Sequence, residues 1–108
     1  MNKFEAILLF SPDLSSTNIK QQDDSFEKLL TDNKGSINAF EDWCLRDLSY
    51  NIKNNKKAFY RYYQINIEGK NIQEIKRILT QNEKIIRHLI IKVENHEDLP
   101  TKLAKTEN

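Results

Sequence analysis

Residues 36–67, SINAFEDWCLRDLSYNIKNNKKAFYRYYQINI, decide the fold. Within them, residues 58–67 (AFYRYYQINI) alternate strictly: Phe59, Arg61, Tyr63, Ile65 and Ile67 fall on one face, and Tyr60, Tyr62, Gln64 and Asn66 on the other. β-Branched and aromatic side chains at period two fit a pleated, half-buried surface, so this segment is a strand. Residues 36–52 are also extended, but their apolar phase breaks. Ile37 and Ala39 alternate, then Trp43 and Leu45, then Leu48, Tyr50 and Ile52. The slip between Leu45 and Leu48 predicts one long strand with a bulge or bend near Arg46-Asp47. Asn54-Asn55, followed by Lys56-Lys57, marks a hairpin turn between the two strands.

Outward from this hairpin, residues 3–10 (KFEAILLF) form a buried strand that Ser11-Pro12-Asp13 terminates. Residues 16–33 follow a helical period, with Ile19, Phe26, Leu29 and Leu30 on one face. Ser15 or Ser16 caps the start, and Gly35 sits where a left-handed helix-terminating residue is expected. Downstream, Gly69 precedes a helix at about 71–81, where Asn71 and Glu74 resemble a capping box. Ile72, Ile75, Ile78 and Leu79 form its buried stripe, and residues 85–93 (IIRHLIIKV) are a fourth strand. Residues 95–108 are polar, lack periodicity and contain Pro100, which predicts a mobile tail after one domain spanning 1–94. The order strand, helix, strand, strand, helix, strand is that of two βαβ-type units joined by a hairpin. It predicts an α+β, ferredoxin-like split βαβ fold, with two helices on one face of a four-stranded antiparallel sheet.

The length of 108 residues gives one domain with a sizeable core and excludes a large multidomain enzyme. The net charge is only +1, which by itself argues against a strongly basic nucleic-acid binder. The neutrality is built from opposed blocks, however: residues 1–44 carry −4, residues 45–93 carry +7 and residues 94–108 carry −2. Ile, Lys and Asn number 13, 13 and 12, an excess of A/T-rich codons that points to genome bias. One cysteine, Cys44, excludes an internal disulfide and suits a reducing compartment. No apolar run approaches the roughly 20 residues of a membrane span, and no cleavable address is visible, so a soluble intracellular protein is expected.

Catalytic chemistry finds no foothold. The two histidines, His88 and His96, fall in a strand and in the tail, and the only glycines, Gly35 and Gly69, cannot form a phosphate-cradling loop. No ligand spacing suits a metal, and no cofactor is expected. Cys44 reads as an inert packed thiol. The aromatics of Lys57-Ala58-Phe59-Tyr60-Arg61-Tyr62-Tyr63 invite comparison with base-stacking RNA platforms, but the glycines of such platforms are absent. Core or protein-partner packing is therefore the favoured reading. The cations Lys53, Lys56, Lys57, Arg61, Arg87 and Lys92 form either a solvated basic face or a phosphate-contacting one.

The stretch Glu41-Asp42-Trp43-Cys44-Leu45-Arg46-Asp47-Leu48-Ser49-Tyr50-Asn51-Ile52 resembles the signature W-G-x-R-x-L-A-Y-x-I of the bacterial small-subunit ribosomal protein S6 family. Three further stretches follow in order: Phe4-Glu5 with Pro12, then Lys53 to Tyr60, which is similar to the family hairpin, then Asn82-Glu83-Lys84-Ile85-Ile86-Arg87-His88-Leu89. The hairpin and the segment from Val93 to Glu97 look most like alphaproteobacterial or mitochondrial-type members. The resemblance implies a structural, non-enzymatic role in the small ribosomal subunit, on a cytoplasmic or an organelle-matrix ribosome. It also implies binding to central-domain rRNA together with ribosomal protein S18, with no membrane and no small-molecule substrate. By this likeness Lys3, Phe4, Arg87 and Lys92 are RNA candidates, and the basic block adds Lys56 and Lys57. Trp43, Leu45, Arg46, Leu48, Tyr50 and Ile52 are candidates for the protein partner. Two departures matter: Cys44 stands where the family has a bulge-relaxing Gly, and Ser49 where it has Ala. The competing reading is a ferredoxin-like regulatory or oligomerising ligand-binding module, whose open sheet face pairs with another copy through Tyr60, Tyr62, Leu89 and Ile91.

Overall fold

The computed structural model describes residues 2–95, and in it the expected elements follow one another as β1 (Asn2–Phe10), α1 (Ser16–Asp32), β2 (Ser36–Ile52), β3 (Asn55–Ile67), α2 (Ile72–Gln81) and β4 (Ile85–Val93). Of the expected polar tail, residues 95–108, all but Asn95 lie outside the described residues. The four strands form one antiparallel sheet in the order β2-β3-β1-β4, the ferredoxin-like arrangement. Alternation places Phe4, Ala6, Leu8 and Phe10 of β1 beside Tyr63, Ile65 and Ile67 of β3, under Phe26 and Leu30 of α1 and Ile72, Ile75 and Leu79 of α2. This is the main core. The opposite face carries a smaller cluster of Leu9, Ala58 and Ile86, with Ile7, Leu48, Ile52 and Tyr60 packed against it.

Ser15 caps α1: its hydroxyl accepts from the Asn18 N–H at 3.1 Å, and the Asn18 side chain accepts from the Ser15 N–H at 3.4 Å. At the other end, the left-handed residue is Lys34, with φ 63°, and not Gly35. The Lys34 N–H donates to Thr31 and the Gly35 N–H to Leu30, which is a Schellman closure displaced by one residue from the expected position. Gly35 is required for another reason. A Cβ there would lie 2.9 Å from the Asn66 carbonyl oxygen and from Ile67 Cγ1 of β3.

Two further expectations are corrected and a third is extended. The hairpin turn centres on Lys53-Asn54, with φ 49° and 66°, because a two-residue turn matching strand twist needs positive φ at both central positions. Asn71 makes no cap to α2, which is entered through a 3-10 turn (Gly69–Asn71). Its side chain instead donates to the Asn33 carbonyl at 2.9 Å, tying the two helices together. The bend expected near Arg46-Asp47 is present, as a register shift between Asp47 and Ile52; β2 also shifts between Ile37 and Ala39 and bulges at Trp43, between Asp42 and Cys44.

Cys44 takes the left-handed conformation at this bulge, φ 66°, and the Asp42 carboxylate accepts from its N–H at 2.8 Å. A Cβ in that region costs about 1–2 kcal/mol. The thiol is exposed, so little packing offsets the cost. Cys44→Gly is therefore expected to raise unfolding stability in urea by about 0.5–1 kcal/mol, after the larger chain entropy of Gly is subtracted. A lower midpoint for the variant would contradict this account.

Candidate RNA and protein interface

The bulge sets the character of the sheet face turned away from the helices. By inserting one residue it swings Trp43 onto that face, where its ring stacks on Tyr62 at 5.0 Å and 7°. The indole N–H donates to Glu41 at 3.0 Å, and Trp43 is only 5% exposed. Arg46 lies over both aromatic rings, 5.5 Å from the Trp43 centroid and 5.7 Å from that of Tyr60, with Nε donating to the Trp43 carbonyl at 2.8 Å. Tyr62 is buried, and its hydroxyl donates to Glu5 at 2.7 Å. The aromatics that suggested a base-stacking platform are therefore largely covered by side chains of β2. Leu48 and Ile52 pack on the same face. Leu45 does not join them: it pairs with Phe59 and lines the groove between β2 and α1.

Beyond Asp47, β2 leaves the ladder. Residues 48–51 lie between the Asp47–Lys57 and Ile52–Asn55 pairs, opposite Lys56 alone. The longer arc carries Tyr50 across the open face toward β4, where Arg87 Nη1 donates to its hydroxyl at 2.6 Å. Ile7, Leu9, Leu48, Tyr60 and Leu89 line the cleft beside this contact, about 240 Å³ in volume. Each of these residues is visible in the sequence, but the Tyr50–Arg87 pair is not, because 37 residues separate them and no short-range pattern joins them.

The six RNA candidates do not form one cluster. Lys56 and Lys57 lie at the hairpin end of the sheet, with the Lys57 ammonium 3.8 Å from the Asp47 carboxylate. Arg87 pairs with Leu9 near that same end, whereas Lys3 and Lys92 lie at the far end of β1 and β4. Alternation puts Lys3 and Arg87 on the open face and Lys92 on the helix side. Phe4 is 6% exposed and belongs to the main core, so its side chain supports the sheet and is not offered to a partner.

Arg61 is also removed from the basic face. It is buried beneath α1, paired with Asp23 and, at 3.2 Å, with Asp42, and it lies over Phe40 at 5.3 Å. Burial is the largest influence and works against its charge, but the Asp23 carboxylate and the Tyr63 hydroxyl together outweigh it and hold the guanidinium above its ordinary value. The Tyr63 hydroxyl donates to the same carboxylate. Burial, reinforced by that bond, pushes the Tyr63 phenol well above its ordinary value. Arg77 is likewise engaged, with a bidentate pair to Glu74 at 2.8 and 2.6 Å. Part of the +7 block thus neutralises acids within the chain. His88 is partly buried on the helix side; burial first, and then Lys76, lowers its pKa and favours the neutral imidazole.

The architecture is that of a small ferredoxin-like α+β module whose open sheet face is dressed by its own edge strand. Residues 3–92 match the family model described as Ribosomal protein S6, and the chain belongs to that family. The small ribosomal subunit protein bS6 of Rickettsia felis is 35% identical over 108 residues, covering 100% of this chain and 89% of that protein. The bS6 protein of Brucella canis is 34% identical over 98 residues, covering 91% of this chain and 66% of that protein. The crystal structure of 30S ribosomal protein S6 from Thermotoga maritima superposes with a TM-score of 0.80 at 20% identity, covering 85% of this chain and 87% of that one. The alphaproteobacterial likeness read from the hairpin agrees with these relatives. The protein is a structural, non-enzymatic constituent of the small ribosomal subunit, of the kind found on the cytoplasmic ribosome of bacteria. Among the described residues, no helix is long and apolar enough to cross a membrane.

Proposed function

We propose that this chain holds small-subunit rRNA jointly with ribosomal protein S18. The observation that carries the reading is the juxtaposition on one face of Arg46, Leu48, Tyr50 and Ile52 with Arg87 and the lysine-bearing hairpin end. A protein partner covers the apolar part, and phosphates meet Arg87, Lys56 and Lys57. Lys3 and Lys92 offer separate phosphate contacts at the far end of β1 and β4, on opposite faces of the sheet, and Leu45 gives the partner a hold on the helix side of β2. Trp43 and Phe4 act from beneath, by supporting the surface.

A chain with a net charge of +1 that spends Arg61 and Arg77 internally has little charge left to hold RNA alone. Binding to a central-domain rRNA fragment is therefore expected to be weak without S18 and tight and salt-dependent with it. Equal affinity in the two cases would sink the proposal. Arg87→Ala is expected to leave folding intact and to lower the log–log salt slope of the complex by about one; an unchanged slope would remove Arg87 from the contact. Leu89 and Ile91 are 48% and 47% exposed on the open face, which favours self-association as the second reading. Sedimentation of the isolated chain separates the two: a monomer fits the joint RNA role, a stable homodimer the second reading.

A further inference from the structure

We infer that Tyr50 is a positioning residue for Arg87, and that through it the protein partner's seat and the phosphate contact are coupled. This rests on the reading of Arg87 as an RNA contact. Tyr50 and Arg87 sit on β2 and β4, the two opposite edges of the sheet, yet they share a 2.6 Å hydrogen bond. They meet only because residues 48–51 leave the ladder and arch over the open face.

A guanidinium carries five N–H donors in a planar fork. Tyr50 takes one of them, from Nη1, and the remaining donors are available for a bidentate grip on a phosphate. An arginine held in one pose loses less side-chain entropy when the phosphate arrives. Tyr50 is 61% exposed, and its stretch has no register partner on β3, so the sheet alone does not fix it. A protein seated on Leu48, Tyr50 and Ile52 fixes that stretch, and with it the guanidinium. Partner binding therefore raises RNA affinity, and by linkage RNA raises partner affinity by the same factor. This provides a residue-level reason for a chain that holds RNA poorly alone to hold it well in company.

Two measurements test the coupling. First, nitrogen relaxation of the Arg87 Nε–H is recorded in the free full-length chain and in Tyr50→Phe, which keeps the ring and removes the acceptor. The signal is expected to be partly restricted in the parent chain and fully mobile in the variant; equal order in both would overturn the positioning role whatever the partner does. Second, affinity for a central-domain rRNA fragment is measured without S18 and at saturating S18, for the parent chain, Tyr50→Phe, Arg87→Ala and the double variant. Tyr50→Phe is expected to reduce the S18-dependent gain in RNA affinity about five-fold, within the range of ordinary coupling factors. Arg87→Ala should abolish the same portion, and the double variant should lose no more than Arg87→Ala alone. Losses that simply multiply, or a full gain in Tyr50→Phe beside an impaired Arg87→Ala, would overturn the coupling while leaving Arg87 as a contact. An Arg87→Ala chain with undiminished RNA affinity would overturn the contact, and the coupling with it.

Discussion

Trp43→Ala is expected to destabilise the fold by about 3–5 kcal/mol, the range for removing a buried aromatic. The indole is 5% exposed, stacked on Tyr62 and bonded to Glu41. Its loss uncovers Tyr62 and removes the surface on which Arg46 rests. Chemical denaturation of the isolated chain measures this with no partner present. Trp43→Phe, which keeps an aromatic stack without the indole N–H, should recover most of the loss. If Trp43→Ala folded as stably as the parent and failed only in binding a partner, Trp43 would belong to the contact surface. Near-parent stability would therefore refute the supporting role assigned here.

Asp23→Ala is expected to cost about 3 kcal/mol, because it leaves the buried Arg61 guanidinium without its main counter-charge. The lower end of the usual range applies, since Asp42 remains at 3.2 Å and is itself largely exposed. Asp23→Asn should be nearly as costly, because an amide can accept from Tyr63 but cannot neutralise the guanidinium. The same site sets an alkaline limit. The Tyr63 phenol ionises near 10.0 in the unfolded chain and only at higher pH in the folded one. Its contribution is therefore complete below pH 10.0 and declines as pH rises above that value, where the unfolded chain sheds a proton that the folded chain retains. Tyr63→Phe should flatten that alkaline decline. A parent stability that stays level well above pH 10.0 would contradict the burial of this phenol.

The strands and helices were legible because their patterns are local. Period two in residues 58–67 and the Ile72, Ile75, Leu79 stripe each need only one element to be read. The left-handed positions were not. Gly35 is fixed by the approach of Asn66 and Ile67, and the strained conformations fall to Lys34, Cys44 and Lys53, which carry side chains. A register shift is a relation between two strands, so the break in apolar phase announced the departure of β2 after Asp47 but not the additional bulge at Trp43. The candidate site was legible as a set of residues and not as a surface. Arg61 reads as one more strand cation until Asp23, 38 residues away in sequence, is seen beside it. Phe4 shares a strand with Lys3, and only the alternation of β1 sends one to the core and the other to the open face.

The place of β1 in the sheet also governs when the structure can be completed. β1 leaves the ribosome before the other three strands, yet it lies between β3 and β4, and Lys3 pairs with both Asn66 and Val93. The β2–β3 hairpin can close as soon as both its strands are made, whereas β1 keeps an open flank until Ile85–Val93 have been synthesised. β1 thus waits for β4, and a nascent chain that stops short of β4 presents the unpaired side of an apolar strand to the cell.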